Sequence, residues 1–184
     1  GYGALAGRLK GGLGTASAVT DDGFQVGAIV AVNPVGSVVD HRTGAFWAQT
    51  GAFGGELGPH RPFRDGPDDL DLPPDMKGTP VGASTTIAVV ATNAILTKAE
   101  ANRIAIMAHD GLARAIRPVH TPLDGDTVFT LATGRKDLGE PRARLLGRLG
   151  HLAAECVSRA VARGVYHAAT LGTHRSWRDV HGAG

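Results

Sequence analysis

An α/β fold of layered sheets with helices on the outside is the class this sequence predicts. Three observations predict it. Residues 24–33 and 85–93 are dense apolar runs rich in β-branched side chains and shorter than ordinary helices. Residues 97–117 and 141–166 instead repeat their apolar positions at helical spacing. The resulting order is strand, strand, loop, strand, helix, strand, helix, without repeats. A chain of 184 residues, 42% of them hydrophobic, suits one domain with a sizeable core.

The first twelve residues are rich in glycine and lead through Lys10-Gly11-Gly12-Leu13-Gly14 into Thr15-Ala16-Ser17-Ala18-Val19. A phosphate loop needs Gly-Lys-Ser/Thr opening a helix, and here a strand follows. A tight turn is therefore the better reading. Asp21-Asp22-Gly23 marks a second turn, so 13–19 and 24–33 form a hairpin. In the second strand Phe24, Val26, Ala28, Val30 and Val32 line one face, and Gly27, Ile29 and Ala31 the other. Both faces are apolar, which predicts cover on both sides. Asn33-Pro34 ends the run, because proline cannot extend a ladder.

Residues 40–84 carry many Gly and Pro, an acidic cluster (Asp65, Asp68, Asp69, Asp71) and little periodicity. They read as a long slack connector, unusual in a compact domain unless functional. Residues 85–93 read as a central strand. Thr97 and Glu100 then form a capping box, and Ile104, Met107, Ala108 and Leu112 give the helix an apolar stripe that ends before Pro118. Residues 127–133 read as a strand. The helix from about Pro141 to Tyr166 carries Leu145, Leu149, Leu152 and Cys156 on one face, with Gly147, Gly150, Ala153 and Ala154 allowing close packing. The tail from His174 onward has no periodicity and is expected to be exposed.

Composition excludes several function classes. Net charge is only +2 and aromatics are 5%, so neither a nucleic-acid surface nor an anionic membrane is indicated. No apolar stretch is long enough to span a bilayer. One cysteine, Cys156, rules out an internal disulfide and agrees with a reducing, cytoplasmic compartment. It lies on an apolar helix face and reads as core.

The segment with most chemistry is Gly82-Ala83-Ser84-Thr85-Thr86, at the mouth of the 85–93 strand. A hydroxyl there is held by packed backbone. If the bond before it breaks, the new α-amine serves as the base for its own side chain. The second candidate is His120-Thr121-Pro122-Leu123-Asp124-Gly125-Asp126-Thr127. Asp-Gly pairs commonly mark turns. The alternative is that both carboxylates orient a neighbouring hydroxyl or amine. Two carboxylates without a further ligand make an incomplete metal set. The eight histidines form no metal-binding pattern; His120 alone stands beside a candidate site and is expected to support the turn. A Gly-x-Ser-x-Gly elbow is absent from the sequence.

Four segments, in order, resemble the DmpA-type self-processing aminopeptidases, a family that includes the nylon-oligomer hydrolases. They are Lys10–Ser17, Val26–Asn33, Thr85–Asn93 and Asp124–Thr127. Thr at the nucleophile position and Asp-x-Asp downstream resemble the nylon-oligomer branch. The resemblance implies a four-layer α-β-β-α sandwich, of which this chain looks like the later half to two-thirds. It implies one domain over 1–184, cut into 1–84 and 85–184 subunits that stay together. Thr85 matches the nucleophile, with scission between Ser84 and Thr85. Asn33 matches the asparagine that polarises the carbonyl under attack, and Asp124 and Asp126 match the acidic pair. The family's basic residue has Val19 and Thr20 at its position here, leaving Lys10 as stand-in. Ser84 replaces the usual Asn or Gly and is a rival nucleophile. The implied activity is hydrolysis of small peptides, amides or ω-amino acid oligomers, by an oligomer, without metal or organic cofactor. Two alternatives stay open: a non-catalytic scaffold, and a self-cleaving acyltransferase of the ornithine acetyltransferase type.

Overall fold

The computed structural model describes residues 2–64, 72, 74–78 and 83–182. The acidic cluster Asp65, Asp68, Asp69 and Asp71 lies outside the described residues. Six strands and three α-helices are present among those described. Strands β1 (Leu5–Ala6) and β2 (Leu9–Lys10) form a small antiparallel hairpin. Strands β3 (Leu13–Val19), β4 (Gln25–Ala31), β5 (Ile87–Ala94) and β6 (Thr127–Lys136) form one sheet in chain order. The β3–β4 and β4–β5 pairs are antiparallel and β5–β6 is parallel. Helix α1 (Lys98–Ala115) makes the crossover that a parallel pair requires. Helix α2 (Arg142–Tyr166) follows β6, and α3 (Trp177–His181) closes the chain.

The predicted α1 start is present in full: the Thr97 hydroxyl accepts from the Glu100 N–H while the Glu100 carboxylate accepts from the Thr97 N–H. Both long helices lie on one face of the sheet. There Val26, Ala28, Val30, Ala88, Val90 and Val128 are buried against Ile104, Leu112, Ala153, Val157 and Ala160. Small residues set the spacing. A Cβ on Gly14 would stand 1.9 Å from the Ala160 carbonyl oxygen, and one on Gly111 2.3 Å from that of Ala154. The glycine-rich start is thus a packing device between β3 and α2. Gly147, also expected to allow close approach, has open space around it. Cys156 is fully buried with its thiol on the Val26 carbonyl, and burial pushes its pKa up to about 11.

The opposite face corrects one expectation. β4 was expected to be covered on both sides, but Ile29 is 41% exposed, and its neighbours across the sheet, Val89 and Phe129, belong to the same uncovered row, with Phe129 57% exposed. The reason is that the chain's two long helices both occupy the other face. The described residues therefore supply one sheet layer and one helix layer.

A further expectation fails, and another needs refining. Residues 40–64 are not slack: Val39 bridges Phe46, a short 3-10 turn spans Trp47–Gly51, and Phe46, Ala48 and Leu57 are buried. Glu56 anchors this segment to α2 through Arg159 (2.7 Å) and Arg163 (2.9 Å). The tail is mostly exposed, as expected, but it is anchored at one point. Trp177 is buried against Phe46 and Tyr166, ring centroids 5.1 and 5.2 Å away, and its indole N–H donates to the Gly44 carbonyl at 2.9 Å. Neither segment has a repeating pattern, because each is held by a few specific side chains rather than by an amphipathic face.

Candidate active site

Topology brings the sequence candidates to one end of the sheet. Ala31 at the end of β4 faces Ile87 at the start of β5, and Ile87 faces Thr127 at the start of β6. An antiparallel pair puts the end of one strand beside the start of the next, and a parallel pair puts two starts together. Asn33, Ser84-Thr85 and Asp124–Asp126 must then meet just beyond that end, although they are far apart in sequence.

Ser84 and Asp124 form a single parallel bridge, and the Thr85 N–H donates to the Asn33 carbonyl at 3.0 Å. Alternation separates the hydroxyls. Ser84 and Thr86 are fully buried, whereas Thr85 is half-buried. The Thr85 hydroxyl donates to the Ser84 carbonyl at 2.6 Å. That carbonyl also accepts the Gly125 N–H at 3.0 Å. Gly125 is needed here for space: a Cβ would lie 2.8 Å from the Thr85 Oγ1. The Ser84 carbonyl is therefore polarised from one side with a hydroxyl already against it.

The two aspartates do different work. Asp124 accepts from the Val35 N–H (2.9 Å) through one oxygen, and from the Thr121 N–H (3.1 Å) and hydroxyl (2.6 Å) through the other. It builds the turn and ties it to the Asn33 segment. Asp126, its side chain 1% exposed, accepts from the Thr86 N–H (2.8 Å) and faces the His120 Nδ1 (2.8 Å). The turn reading of this motif holds, and both carboxylates bond backbone N–H groups and neighbouring side chains rather than the Thr85 hydroxyl. No group of three or more potential metal ligands occurs among the described residues.

Asn33 Oδ1 accepts from the Leu5 N–H (3.1 Å) and the Lys77 ammonium (2.7 Å). Two donors on one atom fix the amide orientation, since only the oxygen accepts. The Nδ2 then points toward the Ala83 carbonyl, at 3.4 Å. The Lys10 ammonium donates to the carbonyls of Ala4 (2.9 Å) and Gly11 (3.0 Å), and the Ala4–Leu5 peptide links it to Asn33. Burial lowers the pKa of Lys10.

Lys77 is the residue that sequence reasoning missed. It is buried, and its N–H donates to the Val35 carbonyl at 2.9 Å. Burial lowers its pKa, with the Asp124 charge pulling the other way. A lone lysine in a Gly/Pro-rich stretch gives no signal of this placement. A cavity of about 580 Å³ opens beside the acidic turn, lined by Ile106, His109, His120, Asp124, Gly125 and Asp126.

The architecture is similar to that of an L-aminopeptidase D-Ala-esterase/amidase from Ochrobactrum anthropi, described as a variant of the Ntn hydrolase fold. The TM-score is 0.56 at 19% identity, covering 89% of this chain and 42% of that one. At that identity the likeness concerns the fold alone, an α/β arrangement with helices layered on a sheet. The chain belongs to peptidase family S58, whose sequence model matches residues 1–177. It is 44% identical to an uncharacterised aminopeptidase of Mycobacterium tuberculosis, over 98% of this chain and 55% of that protein. It is 34% identical to a 6-aminohexanoate-oligomer endohydrolase of Paenarthrobacter ureafaciens, over 73% of this chain and 39% of the enzyme. The chain spans about half the length of the curated relatives it matches.

Proposed function

We propose that the protein carrying this chain is a self-cleaving amide hydrolase with Thr85 as its nucleophile. The observation that carries this reading is the Ser84 carbonyl, held by the Gly125 N–H while the Thr85 hydroxyl lies 2.6 Å from its oxygen. Attack of Thr85 Oγ1 on the Ser84 carbonyl carbon makes a C–O bond. The oxyanion forms where the Gly125 N–H already points. The Ser84–Thr85 C–N bond then breaks, the hydroxyl proton passes to the leaving nitrogen, and an ester results. Water opens the ester to a Ser84 carboxylate and the Thr85 hydroxyl, and Thr85 keeps the α-amine freed in the previous step. Ser84, fully buried, is the poorer candidate, because its own attack would fall on the Ala83 carbonyl instead.

The freed amine has an ordinary pKa of roughly 7.7–8.0, so a fraction is neutral at physiological pH and accepts the hydroxyl proton in each turnover. The Asn33 carbonyl, already bonded to that nitrogen, holds it in place. Lys77 fixes the Asn33 amide, whose Nδ2 and the Gly125 N–H polarise the carbonyl of an incoming amide. Asp124 and Asp126 hold the turn that presents Gly125. Names of relatives support two substrate classes, amino-terminal peptides or amides and 6-aminohexanoate oligomers. We favour small amide substrates, and a homo-oligomer as the working form. The two described layers would be completed to four by the rest of the protein, seated on the Ile29–Val89–Phe129 face.

A denaturing gel with terminal sequencing tests the reading. Wild-type protein should give two bands, the second beginning at Thr85, and Thr85→Ala one band. Loss of cleavage in Ser84→Ala with cleavage intact in Thr85→Ala would assign the wrong hydroxyl. A single band unchanged in every variant would favour a scaffold.

A further inference from the structure

We propose that His120, braced by His109, is a positioning residue for the Ser84–Thr85 bond. The inference rests on the reading of Thr85 as nucleophile. It starts from a backbone fact: His120 has φ 53°, the one non-glycine residue with positive φ among the described residues. Such a conformation is costly for a residue with a Cβ, by about 1 kcal/mol or more, and persists where its surroundings require it.

Here the surroundings do. The left-handed turn aims the His120 Nδ1 at Asp126 Oδ2, 2.8 Å away. The Asp126 side chain is almost wholly buried, and a buried carboxylate is expensive without donors. Its other oxygen takes the Thr86 N–H at 2.8 Å. On the far side of the ring, His120 Nε2 lies 3.3 Å from His109 Nδ1, on the face of α1 that lines the cavity. A continuous path therefore runs from α1 through two imidazoles and one carboxylate to the backbone next to Thr85. Gly125, whose N–H holds the Ser84 carbonyl, is the residue before Asp126.

Both ring nitrogens of His120 are thereby engaged, Nδ1 by the Asp126 carboxylate and Nε2 by the His109 Nδ1. Burial lowers the pKa of His109, with His120 adding to the effect and Asp126 and Asp110 opposing it. The other charged groups around the turn are Asp124, bonded to Thr121 and Val35, and Lys77, bonded to Asn33. His120 touches no reacting atom. Its effect is to keep Asp126 still, and hence the Gly125 N–H aligned with the carbonyl under attack.

The test separates the imidazole from the backbone. His120→Gly accepts positive φ at no cost and removes the ring. His120→Asn also tolerates the left-handed conformation, and its Nδ2 replaces the Nδ1 donor. In the full-length protein, His120→Gly should slow both self-scission and kcat by about tenfold, since small misalignments cost up to about a hundredfold. KM should stay within about twofold, and His120→Asn should restore most of both rates, as a geometric role requires. Rates in His120→Gly within twofold of wild type, or no rescue by His120→Asn, overturn the proposal. Should His120→Gly not accumulate as folded protein, His109→Phe carries the test. It keeps ring and bulk without Nδ1 and should lower kcat about threefold, and an unchanged kcat overturns the bracing. Thr85→Ala run in parallel separates the two ideas. Activity surviving in Thr85→Ala removes the nucleophile assignment, whereas its loss there with His variants unaffected removes only the role of His120.

Discussion

The two faces of the four-stranded sheet share strands and differ in what they meet. On one, Val26, Val30, Ala88 and Val90 are sealed under α1 and α2. On the other, Leu13 is 60% exposed and Ile87 47%, although both are as apolar as the sealed residues. Thr85 precedes Ile87 by two positions and so shares the parity of the open face, whereas Ser84 and Thr86 share that of the sealed one. One-residue alternation thus gives neighbouring hydroxyls different fates. The sealed face supplies rigidity, and the other parity leaves the Thr85 hydroxyl half-buried against the Ser84 carbonyl.

Substitutions on each side sharpen this contrast. The largest effect on chemistry should come from Thr85→Ala. Turnover should fall by about 10⁴-fold or more, in the range seen for removed nucleophiles, while the melting temperature barely moves. The largest effect on folding should come from Gly14→Val. Its Cβ would fall on the Ala160 carbonyl at 1.9 Å, backbone that cannot yield, so a loss of about 4 kcal/mol or more is expected in chemical denaturation. A paired comparison of Val90→Asp and Phe129→Asp probes the open face. If a further layer seats on this face as proposed, both should lower the melting temperature of the full-length protein by a similar amount. A drop for Val90→Asp alone would mean that the Ile29–Val89–Phe129 row stays in water.

A smaller, pH-dependent effect belongs to Glu56. Burial pushes its pKa up, but bonds from Arg159, the Phe53 N–H and Arg163 outweigh burial and hold it at about 2. A depressed carboxylate pKa contributes stability above the unfolded-state value, near 4.3, and loses it as pH falls toward the folded value. Melting temperatures of wild type should therefore fall between about pH 5 and pH 2 more steeply than those of Glu56→Gln. The smallest effect is expected at Cys156. With its thiol buried and its pKa at about 11, labelling by a thiol reagent at pH 8 should require unfolding.

The same contrast explains what could be read before the structure. Strands and long helices were legible from local signals: β4 and β5 are short dense apolar runs, β3 and β4 flank the Asp21-Asp22-Gly23 turn, and α1 begins with a capping box at Thr97 and Glu100. The site was legible where strand ends converge, since Asn33, Thr85 and Asp124–Asp126 each flank a recognisable strand. Lys77 was not, because its position comes from one backbone bond to Val35 and one side-chain bond to Asn33, neither of which leaves a pattern. The 40–64 segment was misread, and the Trp177 anchor of the tail was missed, for the same reason. Their order comes from Glu56 on α2 and from a cluster of Phe46, Tyr166 and Trp177, contacts distant in sequence. The uncovered face of β4 shows the converse. Its apolarity was read correctly, but the layer it calls for is not among the described residues.

The central claim is that the Ser84–Thr85 bond is broken by the hydroxyl lying against it. Intact-mass spectrometry of freshly purified full-length protein, followed over time, tests it most directly. The account predicts a parent that converts into two fragments whose summed mass exceeds it by one water, the second starting at Thr85. A polypeptide that stays whole and still hydrolyses amides would contradict it.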